Sequence, residues 1–215
     1  MMLAALLGAC TGGREDRGPG PSGGFDAGPG SMACGRDTCS GCCSGTTCLA
    51  GTANSACNTG GNACVDCGPT GLCNAGVCTL DPASRWDVVV VDVTVPTTDV
   101  EGVAWDAFGG APDPFVEVRA GSESAPSVRT SHFMDIFSAT FNEVTAANVR
   151  ADTVKTLLRF DVWDLDTSLH DWIGACQYAN LPDEAFDGAA ETLTCPANAA
   201  TGNSGFTLHF RIQRH

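Results

Sequence analysis

The chain has 215 residues, 13 cysteines and a formal net charge of −14, with 11 Lys and Arg against 25 Asp and Glu. This acidic balance argues against a nucleic-acid-binding protein, which needs a basic surface, and against binding to anionic membranes without an intervening cation.

No run reaches the roughly 18 apolar residues of a membrane-spanning helix. Four His and one Tyr leave few general bases, and common nucleophile, metalloprotease and phosphate-loop motifs are missing. The composition therefore argues against an enzyme.

The first ten residues form a short apolar segment that ends in small residues before a cysteine. Leu7-Gly8-Ala9-Cys10 resembles the lipobox of bacterial lipoproteins, in which Cys10 would be lipidated and become the mature N-terminus. The alternative is an ordinary apolar N-terminus with a chance cysteine. Residues 11–33 are rich in Gly, Pro and Ser, so they are predicted to form a flexible tether. We therefore expect a signal segment at 1–10, export, and a lipid anchor on the bacterial outer membrane or cell surface.

Residues 34–80 contain ten cysteines and few large apolar side chains. Such a segment cannot fold by hydrophobic burial alone and needs crosslinks. Because ten is even, five disulfides in an oxidising compartment are the simplest account, although the spacing does not give their connectivity. The alternative is zinc, since Cys39-x-x-Cys42 and Cys64-x-x-Cys67 have nearly the spacing of a zinc ribbon. The segment also resembles cysteine-rich stretches of bacterial cell-surface lipoproteins, which implies a stiff spacer or small binding unit and no activity.

The composition changes near residue 84, after which cysteines are sparse and β-branched and aromatic residues appear. Four segments have the length or alternation of strands: 87–95, 114–119, 158–163 and 206–212. Further short strands are expected near 127–133, 139–146, 172–178 and 192–195. About eight short strands with no convincing helix predict an all-β, antiparallel sandwich over residues 84–215.

Carboxylates concentrate in two of the predicted loops, 105–116 and 162–174. In chain order, the sequence contains Asp113-Pro-Phe-Val, Phe141-Asn-Glu, Val162-Trp-Asp-x-Asp and Asp171-Trp-Ile-Gly. Together these motifs resemble the signatures of the C2 domain family over residues 86–212. The resemblance implies an eight-stranded Greek-key sandwich that binds calcium between loops at one end. It also implies docking on phospholipid, as in many members of that family.

The resemblance assigns calcium ligands to both loops. They are Asp106 and Asp113 in the first loop, and Asp164, Asp166 and Asp171 in the second. Calcium takes six to eight oxygen ligands, and carboxylates gathered this closely would raise one another's pKa without a cation. The alternative is that the aspartates only cap turns. Phe108 and Leu169, at the loop tips, are predicted membrane contacts; the alternative is that they pack against each other.

Two further features complete the sequence-based hypothesis. Cys176 and Cys195 are predicted to form a disulfide between the strand after the second loop and the next strand, with two free thiols as the alternative. The basic strand face that many C2 domains use for phosphoinositides is not evident, since only Arg119, Arg129 and His132 lie in those strands.

The predicted function is a calcium-dependent binding module of an exported lipoprotein, engaging a phospholipid membrane or a protein partner. The alternative is a calcium-stabilised structural or adhesive surface protein without lipid binding.

Overall fold

The cysteine-rich segment folds as very short strands. They are β1 (Cys42–Ser44), β2 (Thr47–Leu49), β3 (Thr52–Ala53), β4 (Ala56–Cys57), β5 (Asn62–Ala63), β6 (Gly71–Asn74) and β7 (Val77–Leu80). Strand β1 pairs with β2 and β5, β3 pairs with β4, and β6 pairs with β7. The computed structural model describes residues 33–106, 110–166 and 170–215. The predicted lipidation site Cys10 and the predicted membrane contacts Phe108 and Leu169 therefore lie outside the described residues.

All ten cysteines of this segment are paired in disulfides. The bonds are Cys34–Cys43, Cys39–Cys48, Cys42–Cys64, Cys57–Cys73 and Cys67–Cys78. The zinc alternative fails, because the four cysteines with zinc-ribbon spacing belong to three different disulfides. Crosslinks between residues 9 to 22 positions apart restrict the unfolded chain and so stabilise a segment with little core. Such a density of disulfides indicates an extracellular or other oxidising environment.

Eight further strands build a sandwich of two antiparallel sheets. They are β8 (Arg85–Thr94), β9 (Pro114–Ala120), β10 (Val128–Arg129), β11 (Ser138–Arg150), β12 (Leu157–Asp164), β13 (Asp171–Ala179), β14 (Ala190–Cys195) and β15 (Phe206–Arg214). Sheet I has the order β10-β9-β12-β13, and sheet II has the order β11-β8-β15-β14. The predicted all-β fold, with a disulfide-rich segment before an antiparallel sandwich, is confirmed.

The core lies between the two sheets and follows the alternation of the sequence. Phe206, Leu208, Phe210 and Ile212 of β15 are all buried, while the residues between them are half-buried on the other face. Phe160 of β12 faces Phe210 with ring centroids 5.0 Å apart, so an aromatic pair joins sheet I to sheet II. Burial of these large side chains is the main stabilising contribution, at about 25 cal/mol for each Å² of apolar surface removed from water.

One short helix departs from the predicted all-strand pattern. Helix α1 (Ala151–Thr156) joins β11 to β12 and buries Ala151 and Val154. Six residues are too few to display a helical period, so the sequence did not reveal it. Among the described residues, no helix is long and apolar enough to cross a membrane.

The cysteine-rich segment is attached to the sandwich next to helix α1. A 3-10 helix at Asp183–Phe186 places Asp183 so that it accepts the Leu80 N–H at 3.0 Å and forms an ion pair with Lys155. The Lys155 ammonium and the Leu80 N–H both lower the pKa of Asp183. Phe186 packs edge-on against Trp86, with centroids 5.1 Å apart. The end of β7 is thus held on the sandwich by polar and apolar contacts.

A sixth disulfide, Cys176–Cys195, links β13 of sheet I to β14 of sheet II across a separation of 19 residues. Replacing both cysteines by Ala is expected to lower the free energy of unfolding by about 3 kcal/mol, because the unfolded chain regains the entropy of that loop. Urea denaturation of the full chain measures this loss. The single variants Cys176→Ala and Cys195→Ala should each lose as much as the double variant, since each breaks the same bond. Additive single losses would show that packing, not the crosslink, stabilises this position.

Candidate metal centre

Strand register brings the predicted acidic loops to one end of sheet I. Pro114 of β9, Asp164 of β12 and Asp171 of β13 are paired across the sheet. Strands β9 and β13 therefore begin, and β12 ends, at the same pole, which we call the tip. Asp113 immediately precedes β9, and Asp166 follows β12 by two positions. Residues far apart in sequence are in this way gathered at the tip.

Three carboxylates lie in direct proximity there. Asp106, Asp113 and Asp135 each offer an oxygen, and these oxygens are all within 4.8 Å of one another. The Asp135 backbone N–H donates to Asp113 Oδ1 at 2.8 Å, which holds the two residues together. Asp106 and Asp113 were predicted ligands, whereas Asp135 was not.

Asp164 is the most deeply buried acid of the tip, with 1% of its surface exposed. Its Oδ1 accepts the Asp113 N–H at 2.6 Å. Its Oδ2 is buried and has no hydrogen-bond partner among the described residues. Burial raises the pKa of Asp164 to about 6, repulsion from Asp106, Asp166 and Asp113 adds to the rise, and the hydrogen bond from Asp113 opposes it. A buried, unsatisfied carboxylate oxygen is costly unless a cation or donor meets it.

Asp166 and Asp171 belong to the same electrostatic group. Desolvation raises the pKa of Asp106, and the negative charges of Asp113, Asp166, Asp135 and Asp171 raise it further. Among the described residues, no Lys, Arg or His forms a salt bridge with any of the six carboxylates. The tip therefore concentrates negative charge without a compensating side chain.

These donors fit calcium. All six side chains offer hard carboxylate oxygens, and none is the thiolate or imidazole that zinc prefers. Calcium accepts many oxygen ligands in flexible arrangements, which suits acids contributed by three separate loops. Asp106, Asp113 and Asp135 would hold the ion, and its positive charge would relieve the repulsion between these acids and the buried Asp164. Bound calcium would supply positive charge that neutralises the tip.

Asp135 was not predicted from the sequence, because only the order and direction of the strands place it at the tip. Antiparallel strands run alternately toward and away from one pole. Since β9 starts at the tip, β10 returns to it, and the connection from β10 to β11 must lie beside the first acidic loop. That connection contains only one carboxylate, flanked on both sides by apolar residues, so it did not stand out as an acidic cluster.

The same connection exposes large apolar side chains next to the acids. Phe133, Met134 and Ile136, with Asp135 between them, form what we call the apolar loop (residues 133–136); the three apolar residues are 40%, 74% and 37% exposed. The Ile136 N–H donates to the Pro112 carbonyl at 2.9 Å, and the Phe133 ring lies 5.5 Å from that of Phe141. The loop is therefore held beside the chain that leads into β9.

Comparison with known proteins assigns this part of the chain to a family. Residues 92–189 match the family model of the C2 domain. This segment is a C2 domain. All six tip aspartates lie within it, and the resemblance drawn from the sequence motifs is confirmed.

Solved structures of C2 domains are among those similar to part of the chain. The first C2 domain of a plant extended synaptotagmin 1 has 22% identity and a TM-score of 0.46, and the match covers 62% of this chain and 97% of that one. Another solved C2 domain has 20% identity and a TM-score of 0.42, with 60% and 96% covered. The calcium-bound pair of C2 domains of extended synaptotagmin 2 has 18% identity and a TM-score of 0.45, with 62% and 46% covered. No curated protein matches the sequence. C2 domains are in general binding modules for calcium, lipid or protein.

Proposed function

We propose that the tip of this C2 domain binds calcium and, with calcium bound, docks on a phospholipid membrane. The observation that carries the proposal is the Asp164 Oδ2 atom, which is buried without a partner among the described residues, beside carboxylates that no basic side chain of that part of the chain neutralises. A protein retains such an arrangement at a cost in stability. A divalent cation in this position would offset that cost.

The electrostatics explain why lipid binding would depend on calcium. The chain carries a net charge of −14, and its tip gathers six aspartates, so an anionic bilayer repels it. A bound cation reverses the sign of the local field and can bridge protein carboxylates to lipid phosphates. Extracellular modules typically bind calcium at about 10⁻⁴–10⁻³ M, and we expect this range here.

The apolar loop favours a membrane over a soluble partner. Met134 is 74% exposed although it lies beside the candidate metal centre, and solvent-exposed apolar clusters of this kind commonly mark interaction sites. Insertion between headgroups would remove this surface from water while calcium contacts phosphate. Phe108 and Leu169 remain proposed contacts in the two neighbouring loops.

The proposed setting is an exported lipoprotein. Acylation of Cys10 would anchor the chain, residues 11–33 would act as the tether, and residues 34–80 and 84–215 would form the disulfide-rich and C2 parts. The six disulfides support an oxidising location. Mass spectrometry of the membrane-extracted protein tests the anchor, since acylation at Cys10 removes residues 1–9 and adds the mass of the acyl chains.

Co-sedimentation with vesicles tests the membrane proposal. The full chain carrying Cys10→Ser, which cannot be acylated, is mixed with phosphatidylcholine–phosphatidylserine vesicles at about 1 mM calcium or in chelator. We expect it to pellet with calcium and to stay in the supernatant with chelator. Equal pelleting in both would contradict calcium-dependent lipid binding. A calcium-induced rise in melting temperature without pelleting would favour the alternative, a calcium-stabilised structural or adhesive protein.

A further inference from the structure

A row of aromatic side chains crosses sheet I immediately behind the tip. Phe115 of β9, Trp163 of β12 and Trp172 of β13 are paired in register, so their side chains stand on three neighbouring strands. Phe115 is covered, because the Arg129 guanidinium lies 5.4 Å from its ring and the His170 ring packs edge-on at 5.5 Å. Trp163 and Trp172 are only half-buried and leave indole surface accessible on the outer face.

A network of charged side chains adjoins the two tryptophans on the same face. Asp161, with 4% of its side chain exposed, forms ion pairs with both Arg119 and Arg159. The Arg159 Nη2 atom lies 2.8 Å from Asp161 Oδ1. Arg119 also contacts Glu117 at 3.1 Å, and Arg159 lies 3.9 Å from Glu123. Two guanidinium groups thus face three carboxylates. The network therefore carries no excess positive charge.

The two tryptophans and four residues of the charged network line one cleft. Its volume is about 440 Å³, within the range of small-molecule sites. The lining residues are Arg119, Glu123, Arg159, Asp161, Trp163 and Trp172. The Trp163 Nε1–H is buried and has no hydrogen-bond partner among the described residues, so Trp163 offers its indole surface to the cleft, not this donor.

We propose that this cleft binds a neutral glycan. The apolar C–H face of a pyranose ring stacks on indole, and its hydroxyl groups accept hydrogen bonds from guanidinium N–H groups and donate to carboxylates. Ion-paired arginines and acids already hold their side chains in place, so little side-chain entropy is lost on binding. The site lies on the outer face of sheet I, separate from the six carboxylates, and does not need calcium.

The excess of carboxylates in the network disfavours an anionic ligand. A phosphorylated headgroup is an anion and needs a positively charged site, whereas Arg119 and Arg159 are outnumbered by the three carboxylates that they contact. A peptide that extended the sheet would add along edge strand β13, whereas four of the six lining residues belong to β9 and β12, each of which has a neighbour on both sides. A ligand without net charge that is both apolar and hydroxyl-rich fits the surface best.

Binding of three neutral hexasaccharides tests the proposal: cellohexaose, maltohexaose and N,N′-acetylated chitohexaose. They are titrated into the full chain in chelator, so that the outcome is independent of calcium and lipid binding. We expect at least one to bind with a Kd of about 1 mM or tighter and to change tryptophan fluorescence. Trp172→Ala and Trp163→Ala should each weaken binding at least tenfold. Glu123→Gln, at a side chain that is 65% exposed, should weaken it a few-fold without affecting folding.

Val128→Ala is the matched control, because Val128 is 51% exposed on β10 of the same sheet and does not line the cleft. Its affinity should equal that of the unmodified chain. Failure of all three sugars to bind at about 10 mM would overturn the proposal, as would binding that is unchanged in both tryptophan variants and in Glu123→Gln. Binding of inositol hexakisphosphate or of a proline-rich peptide at this cleft, lost in Trp172→Ala, would also overturn it.

Discussion

Replacing Asp164 by Asn is expected to stabilise the calcium-free protein and to abolish its stabilisation by calcium. The pKa of Asp164 is raised to about 6 because the side chain is buried and repelled by its neighbours, so ionising it at neutral pH opposes folding. Asn keeps an acceptor for the Asp113 N–H but removes the charge. The gain should be about 2 kcal/mol, or about 4–8 °C in melting temperature. Thermal denaturation in chelator and in calcium measures both effects.

The same shift predicts the direction of a pH dependence. A folded-state pKa above the unfolded value of 3.8 means that the folded protein binds the proton more tightly. Its stabilising contribution is complete below about pH 4 and is lost as the pH rises through about 6. The calcium-free protein should therefore gain stability as the pH falls from above 6 toward 4. Asp164→Asn should lack much of that gain, and the exposed control Asp37→Asn should retain it. Equal pH dependence in the three proteins would contradict this account of Asp164.

Replacing Met134 and Ile136 by Ser is expected to abolish calcium-dependent vesicle binding while calcium affinity stays within about twofold. Met134 is 74% and Ile136 37% exposed, and neither belongs to the hydrophobic core, so their loss leaves no cavity there. Burying them in a bilayer should contribute about 2 kcal/mol, which corresponds to a roughly 30-fold change in partitioning. Calcium affinity is measured by calorimetry without lipid, and partitioning is measured by vesicle titration at fixed calcium.

Val144→Ser provides a matched control for the apolar loop. Val144 is 46% exposed on β11 and lies outside the tip. This variant should bind vesicles as the unmodified chain does. If the Met134 and Ile136 replacements left vesicle binding intact, the apolar loop would not be the membrane contact, and the contacts would have to come from the neighbouring loops that contain Phe108 and Leu169.

Local sequence patterns were sufficient to predict most strands of the sandwich. The alternation of Phe206, Leu208, Phe210 and Ile212 identifies both the strand β15 and its buried face, because successive side chains point to opposite sides. Helix α1 escaped detection since its two buried residues, Ala151 and Val154, contribute a single turn. The five disulfides of the cysteine-rich segment depend on the path of the whole segment, which spacing does not encode.

The candidate site was predictable where acids cluster along the chain and unpredictable where they meet only in space. Asp164 and Asp166 stand out in sequence, and the structure brings them to the tip with Asp106 and Asp113. Asp135 joins them through strand register alone. Trp163 and Trp172 likewise become neighbours through pairing across β12 and β13. The sequence showed only that each lies next to an acidic residue.

The direction in which the chain traverses the sandwich determines which way the tip faces. Strand β8 begins at Arg85, beside the cysteine-rich segment, and runs toward the pole where the carboxylates lie. The contact of Leu80 with Asp183 fastens that segment at the far pole. Whatever retains the molecule by its N-terminal side thus presents the carboxylates outward, about 30 Å away along a ten-residue strand.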